Sequence, residues 1–270
     1  MHALEKKLPP ARTMTTTRQV PLELKSPREV DLLRQAGQAT AEILMELKRK
    51  VTAGMTTRDI DALAAKMIRA RGGIPSFLNY RGYPAVVCTS VNEEVVHSIP
   101  GARVLKEGDI LSLDIGMFLE DYCGDTATTF AIGRVSPEAE RLMESGRQSL
   151  EASIQAAKAG NRLGDVSAAM QSVVEAAGFY VVREYGGHGI GRAMHEDPHI
   201  PCFGKPGTGL RLQEGMVLAL EVMANAGTAE IRHLSDHWTV VTADKSLSVH
   251  YEKMVAITER GTEVLTPHES

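Results

Sequence analysis

The chain has 270 residues, 43% hydrophobic and 24% charged, the balance of a globular protein long enough for one large domain or two small ones. Thirty basic and 34 acidic residues are interspersed to a formal charge of −4, which argues against a dedicated nucleic-acid binder, where Lys and Arg gather on one face. Cys88, Cys123 and Cys202 include no C-x-x-C pair, no run approaches the ~18 apolar residues of a membrane span, and the first residues lack a secretory apolar stretch, so a cytoplasmic protein without disulfides is expected.

Residues 1–25 are polar, contain Pro9-Pro10 and a threonine run, and read as a flexible arm. Order is expected from Ser26, which caps a helix with Pro27 at its first position and Glu29 completing a capping box. Val30, Leu33, Ala36, Ile43, Leu44 and Leu47 then recur near helical spacing, and Gly54 closes the segment. Thr56 with Asp59 opens a second helix running towards Gly72-Gly73. The same order returns about 106 residues later: Ser136-Pro137 opens a helix, Ala159-Gly160 ends it, and Asp165-Val166 leads into another that stops at Gly178. The spacing predicts two related halves, approximately 26–133 and 134–265, within a single domain over 26–270. Strands are expected at 85–91, 110–116, 125–132, 216–224, 238–242 and 249–258, each rich in β-branched or aliphatic residues. Helix pairs ahead of groups of antiparallel strands give an α+β class.

Period-two alternation in the 110–116 strand puts Leu111, Leu113 and Ile115 on one face and Ser112 with Asp114 on the other. A short connection, 117–124, brings in Asp125 on the strand that should pair back. Glu221 shares a face with Val217 and Ala219, and Glu252 lies inside its own apolar strand. One acid on a strand is ordinarily structural. Four on apolar strands are different, because unpaired buried charge costs several kcal/mol and a divalent cation compensates it. An imidazole comes from Tyr185-Gly-Gly-His188-Gly-Ile-Gly, whose glycines are expected to let the backbone approach a ligand closely. That segment fits neither G-x-G-x-x-G nor H-E-x-x-H, and no nucleophile elbow is present. Of nine histidines, His2, His199, His233, His237, His250 and His268 are taken as bystanders.

From about residue 26 onward the chain resembles type I methionine aminopeptidases. The motifs are Gly82-Tyr-Pro84, Ser90-Val-Asn-Glu93, His97-Ser-Ile-Pro100, the 109–114 stretch, Gly124-Asp125-Thr126, Gly187-His-Gly-Ile-Gly-Arg192, His195-Glu196 and Asn225-Ala-Gly227. The resemblance implies a pita-bread fold of two pseudo-symmetric halves, an antiparallel sheet covered by helices. It also implies two divalent metal ions (Fe(II), Mn(II), Co(II) or Zn(II)), with Asp114 on the first, His188 and Glu221 on the second, and Asp125 and Glu252 bridging. His97 and His195 would flank the scissile peptide, and Glu221 would take a proton from the attacking water. Phe77, Tyr80, Tyr83, Cys88, Met194 and Trp238 would surround a methionine side chain. The implied reaction removes the N-terminal methionine of nascent polypeptides with a small second residue, in the cytoplasm, by a monomer. The ribosome surface is a candidate partner; membrane and specific nucleic acid are not.

Four positions depart from the family pattern: Val222 for a usual Pro, Lys253-Met254 for His-Thr, and Arg81 for a His. None removes a ligand. The competing expectation is a proline-specific peptidase of the same fold, set lower because about 25 residues before Ser26 are too few for the extra N-terminal domain such enzymes usually carry. A creatinase-like hydrolase or a non-catalytic binding protein would show degenerate ligands, and all five are in place.

Overall fold

The computed structural model describes residues 22–269, so the expected arm lies outside the described residues up to position 21. In chain order the elements are α1 (Pro27–Lys50), α2 (Thr57–Ala70), β1 (Ile74–Pro75), β2 (Val87–Val91), β3 (Glu94–Val96), β4 (Ile110–Leu119), β5 (Tyr122–Ala131), α3 (Pro137–Ala156), α4 (Leu163–Ala176), β6 (Tyr180–Val181), β7 (Gly186–Gly189), β8 (Glu196–Pro201), β9 (Val217–Asn225), β10 (Ile231–His233), β11 (Val240–Thr242), β12 (Ser248–Thr258) and β13 (Gly261–Val264).

The helix starts are where the caps put them. Ser26 accepts from Glu29 N–H while the Glu29 carboxylate accepts from Ser26 N–H, and Thr56 with Asp59 repeats the exchange. The second pair of helices opens similarly at Ser136 and at Arg162, whose N–H is held by Asp165. The described residues just before Ser26, expected as part of the arm, make tertiary contacts, and Leu22 packs against the core. Lys25 is buried, donates its N–H to Gly215 O, and binds Glu196 at 2.6 Å through its ammonium group. Its partners are 171 and 190 residues away, a distance at which no local pattern could announce them.

A ten-stranded sheet follows the path β1-β4-β5-β12-β9-β7-β8, with β2 on β4, β6 on β9 and β13 on β12; β10, β11 and β3 form a second, three-stranded sheet. Ladder pairings between the named strands are antiparallel. The expected connection over 117–124 is instead mostly strand. β4 runs to Leu119 and pairs with Tyr122 across Glu120 and Asp121, whose φ of 50° and 65° match the twist of a two-residue hairpin.

Alternation divides the central strands between two environments. Leu111, Leu113 and Ile115 of β4 share a buried cluster with Ile43, Leu44 and Leu47 of α1. Leu218, Leu220 and Val222 of β9 do the same with Leu142 and Leu150 of α3. The two halves therefore use one construction, a long helix laid over a strand pair. The opposite face of the same strands carries the acids.

Candidate metal centre and substrate slot

Sheet order converts a scattered sequence pattern into one place. Asp114, Asp125, Glu252, Glu221 and His188 stand on β4, β5, β12, β9 and β7, five consecutive strands of the sheet, one side chain from each. Register completes the alignment: Asp114 and Glu252 both pair with Ala127, Glu252 pairs directly with Glu221, and His188 pairs with Ala219, two residues from Glu221. Asp125 is two residues from Ala127. Because strand side chains alternate, all five emerge on one face. Donor atoms of Asp125, His188 and Glu252 lie within 4.8 Å of one another, and Glu221 Oε1 lies 4.0 Å from His188 Nε2.

The electrostatics of this cluster call for a cation. Asp114 Oδ1, Asp125 Oδ1 and Glu252 Oε1 are buried with no hydrogen-bond partner. Burial pushes the Asp114 carboxyl up to about 7, and burial with the neighbouring acids drives Asp125 and Glu252 well above the usual carboxylate range. Buried orphan oxygens of like charge are unfavourable by themselves and suit a divalent ion, so the donor set fits the expected metal. His188 is prepared for the role, since its Nδ1–H donates to Gly189 O at 3.0 Å and leaves the Nε2 lone pair facing the acids.

The glycines beside His188 also have a packing role. The segment around His188 forms β7, which pairs with β8 and β9. A Cβ on Gly187 would lie 2.3 Å from Ala219 O, and one on Gly189 2.2 Å from Asp197 O. They allow tight strand packing that fixes the imidazole. Gly187→Ala and Gly189→Ala are therefore expected to weaken metal binding by at least about tenfold and to destabilise the fold by ~1–3 kcal/mol, measured by chelator competition and denaturant unfolding. Wild-type behaviour of both would show that the strand spacing is unimportant.

Beside the acids is a cavity of about 290 Å³ into which all the expected site residues open: Phe77, Tyr80, Tyr83, Cys88, His97, Met194, His195 and Trp238 together with the five donors. Tyr83 packs edge-on to Trp238 at 5.1 Å and to Phe77 at 6.5 Å, while its hydroxyl donates to backbone carbonyls of Val87 and Ser98. The result is a rigid aromatic slot. Tyr80 does more than line it, because its hydroxyl is hydrogen-bonded to His195 Nδ1 at 2.9 Å. His195 in turn lies 4.2 Å from the His188 ring. Burial brings both His97 and His195 down to about 4, so each is a neutral imidazole near pH 7. His97 sits at φ 59°, a left-handed conformation held between Tyr185 and Trp238.

Two expected bystanders belong here. His199 opens into the cavity, and His250 is buried with Nε2 3.0 Å from Glu221 Oε2. The signal for His250 was available: it lies two residues before Glu252 on one strand and so shares its face. Of the others, His233 approaches the Tyr185 hydroxyl, His268 bonds Thr126, and His2 falls outside the described residues.

The family model of metallopeptidase family M24 matches residues 31–259. Methionine aminopeptidase 1 of Bacillus subtilis is 48% identical over 242 residues, covering 90% of this chain and 98% of that one. The crystal structure of methionine aminopeptidase from Rickettsia prowazekii superposes with a TM-score of 0.90 at 37% identity, covering 92% of this chain and all of the other. A Xaa-Pro dipeptidase from Bacillus anthracis shares the fold at 19% identity and a TM-score of 0.73, but this chain spans 62% of its length.

Proposed function

This chain belongs to metallopeptidase family M24, and from that premise we propose that it is a methionine aminopeptidase, removing the N-terminal methionine from polypeptides with a small second residue. Its fold is the pita-bread fold of its structural neighbours. The observation that carries the reading is the set of five donors on five adjacent strands, with orphaned buried oxygens, opening beside an apolar aromatic slot. Asp114, Asp125, His188, Glu221 and Glu252 would hold two divalent ions, bound when present to polarise a scissile carbonyl and lower the pKa of water.

The chain's own groups do the rest. Phe77, Tyr83, Cys88, Met194 and Trp238 form a slot whose apolar walls suit an unbranched thioether, and methionine is the first residue that fits this chemistry. His97 and His195, neutral and on the cavity wall, offer N–H groups to the peptide oxygen and a route for the proton to the leaving amine. Glu221 is placed to take the proton of the attacking water: burial alone would raise its carboxyl, but the His250 hydrogen bond holds it below the usual carboxylate range, so it is ionised near pH 7. Residues 26–270 act as one catalytic domain, monomeric and cytoplasmic, on nascent chains, with the ribosome surface as a partner. Among the described residues no helix is long and apolar enough to cross a membrane.

The test is release of methionine from Met-Ala-Ser and Met-Gly-Met-Met by protein loaded with Fe(II), Mn(II), Co(II) or Zn(II). Cleavage of Xaa-Pro peptides without release from Met-Ala-Ser would move the assignment to the proline-specific branch of the fold. A companion variant tests the imidazole. His97→Asn, which tolerates the left-handed backbone, should retain its metals and fold while kcat falls by about 10²-fold or more. Loss of bound metal from H97N would make His97 a ligand instead.

A further inference from the structure

The five donors differ in how their oxygens are committed. Asp114, Asp125 and Glu252 each have a buried oxygen without a hydrogen-bond partner. Glu221 does not: its Oε2 accepts from His250 Nε2–H at 3.0 Å, leaving Oε1 towards His188. His250 lies on β12 opposite Met223, so it reaches Glu221 diagonally across the β12–β9 ladder while Glu252 meets Glu221 head-on. One strand thus supplies both a ligand and a group that grips the ligand next door.

His250 is itself tightly held. β5 and β12 share a single ladder pair, Ala127 with Glu252, and beyond it a side chain takes over from the backbone. Thr129 Oγ1 donates to His250 O at 2.9 Å, and His250 N–H donates to Thr129 Oγ1 at 2.9 Å and to Ser112 Oγ at 3.2 Å. The Ser112 and Thr129 hydroxyls are 2.8 Å apart. With its backbone pinned and its side chain 4% exposed, the imidazole has no solvent alternative to Glu221.

We infer that His250 is a positioning residue of the metal centre: its Nε2–H fixes the rotation of the Glu221 carboxylate so that one oxygen remains directed at the ions. The inference rests on the reading of the five donors as a metal centre. Removing the donor frees the carboxylate to turn and leaves a buried oxygen unsatisfied, which weakens the ion that Glu221 binds.

The experiment uses metal-free full-length protein titrated calorimetrically with Co(II), with the visible Co(II) spectrum recorded alongside. His250→Ala is expected to weaken one binding event by about tenfold or more and to alter the ligand-field bands. His250→Gln, whose side-chain amide can donate to the same oxygen, is expected to recover affinity to within about threefold and the wild-type spectrum. Should H250A fail to fold, His250→Met retains bulk without a donor and takes its place against H250Q. Wild-type affinity and spectrum in the donor-less variant, or no recovery in H250Q, would overturn the positioning role. Failure of the wild-type protein to bind Co(II) would instead overturn the metal-centre reading itself, so the two failures are distinguishable.

Discussion

Asp125→Ala and Glu252→Ala are each expected to lose both metal ions and to lower kcat/KM on Met-Ala-Ser by about 10⁴-fold or more, an effect of roughly 5–6 kcal/mol on the barrier. The magnitude follows from their place in the sheet. Both belong to the trio whose donor atoms lie within 4.8 Å of one another, together with His188, and both face orphaned into the cavity. Asp114 stands one strand outward and Glu221 is partly committed to His250, so their alanine variants should retain more metal. Metal analysis of each purified variant beside its activity checks the ranking. A D125A protein with full metal content and a small kinetic defect would break the assignment of Asp125 as a bridging ligand.

Much of this centre was readable in the sequence because strand alternation is local. The Asp114 face, the Glu221 face and the helix caps at Ser26, Thr56 and Ser136 each follow from a few neighbouring residues, and the structure has them so. What was illegible depends on pairing across the chain. The segment about His188 is absent from the expected strands because glycine has poor strand propensity, yet contacts with β9 and β8 make it β7. Lys25 looked like tail because its partner Glu196 is 171 residues on. His250 was set aside as one histidine among nine, although its phase with Glu252 already aimed it at the acids. Recognising it needed the further fact that β12 lies beside β9, which no spacing along the chain supplies.

The second large effect is on stability, and it reverses sign between metal-free and metal-bound protein. With a divalent ion at about a hundred times its dissociation constant, each site adds ~2.7 kcal/mol, so chelation should lower the wild-type Tm by roughly 5–10 °C per ion lost. Glu252→Gln, unable to hold its metals well, should show little of that shift. In the metal-free state the same substitution should instead raise Tm, since it removes one of several like-charged buried groups. The pH dependence identifies the cause. Burial and the neighbouring acids put the folded Glu252 carboxyl well above its unfolded value of 4.5, so the folded state binds the proton more tightly. Its contribution to wild-type stability is then fully present below pH 4.5 and is lost as pH rises through the folded pKa, and the advantage of E252Q grows from pH 5 towards pH 8. Buried neutral His97, His195 and His268 work in the opposite direction, each brought down to about 4 from 6.5, which costs stability as pH falls through that interval. For this reason the carboxylate effect is read as the Tm difference between E252Q and wild type, both metal-free, where the contribution of the imidazoles is common to both. A difference that stays flat or shrinks with rising pH would mean that the acids are not crowded in the folded protein, and the argument for a cation between them would lose its electrostatic basis.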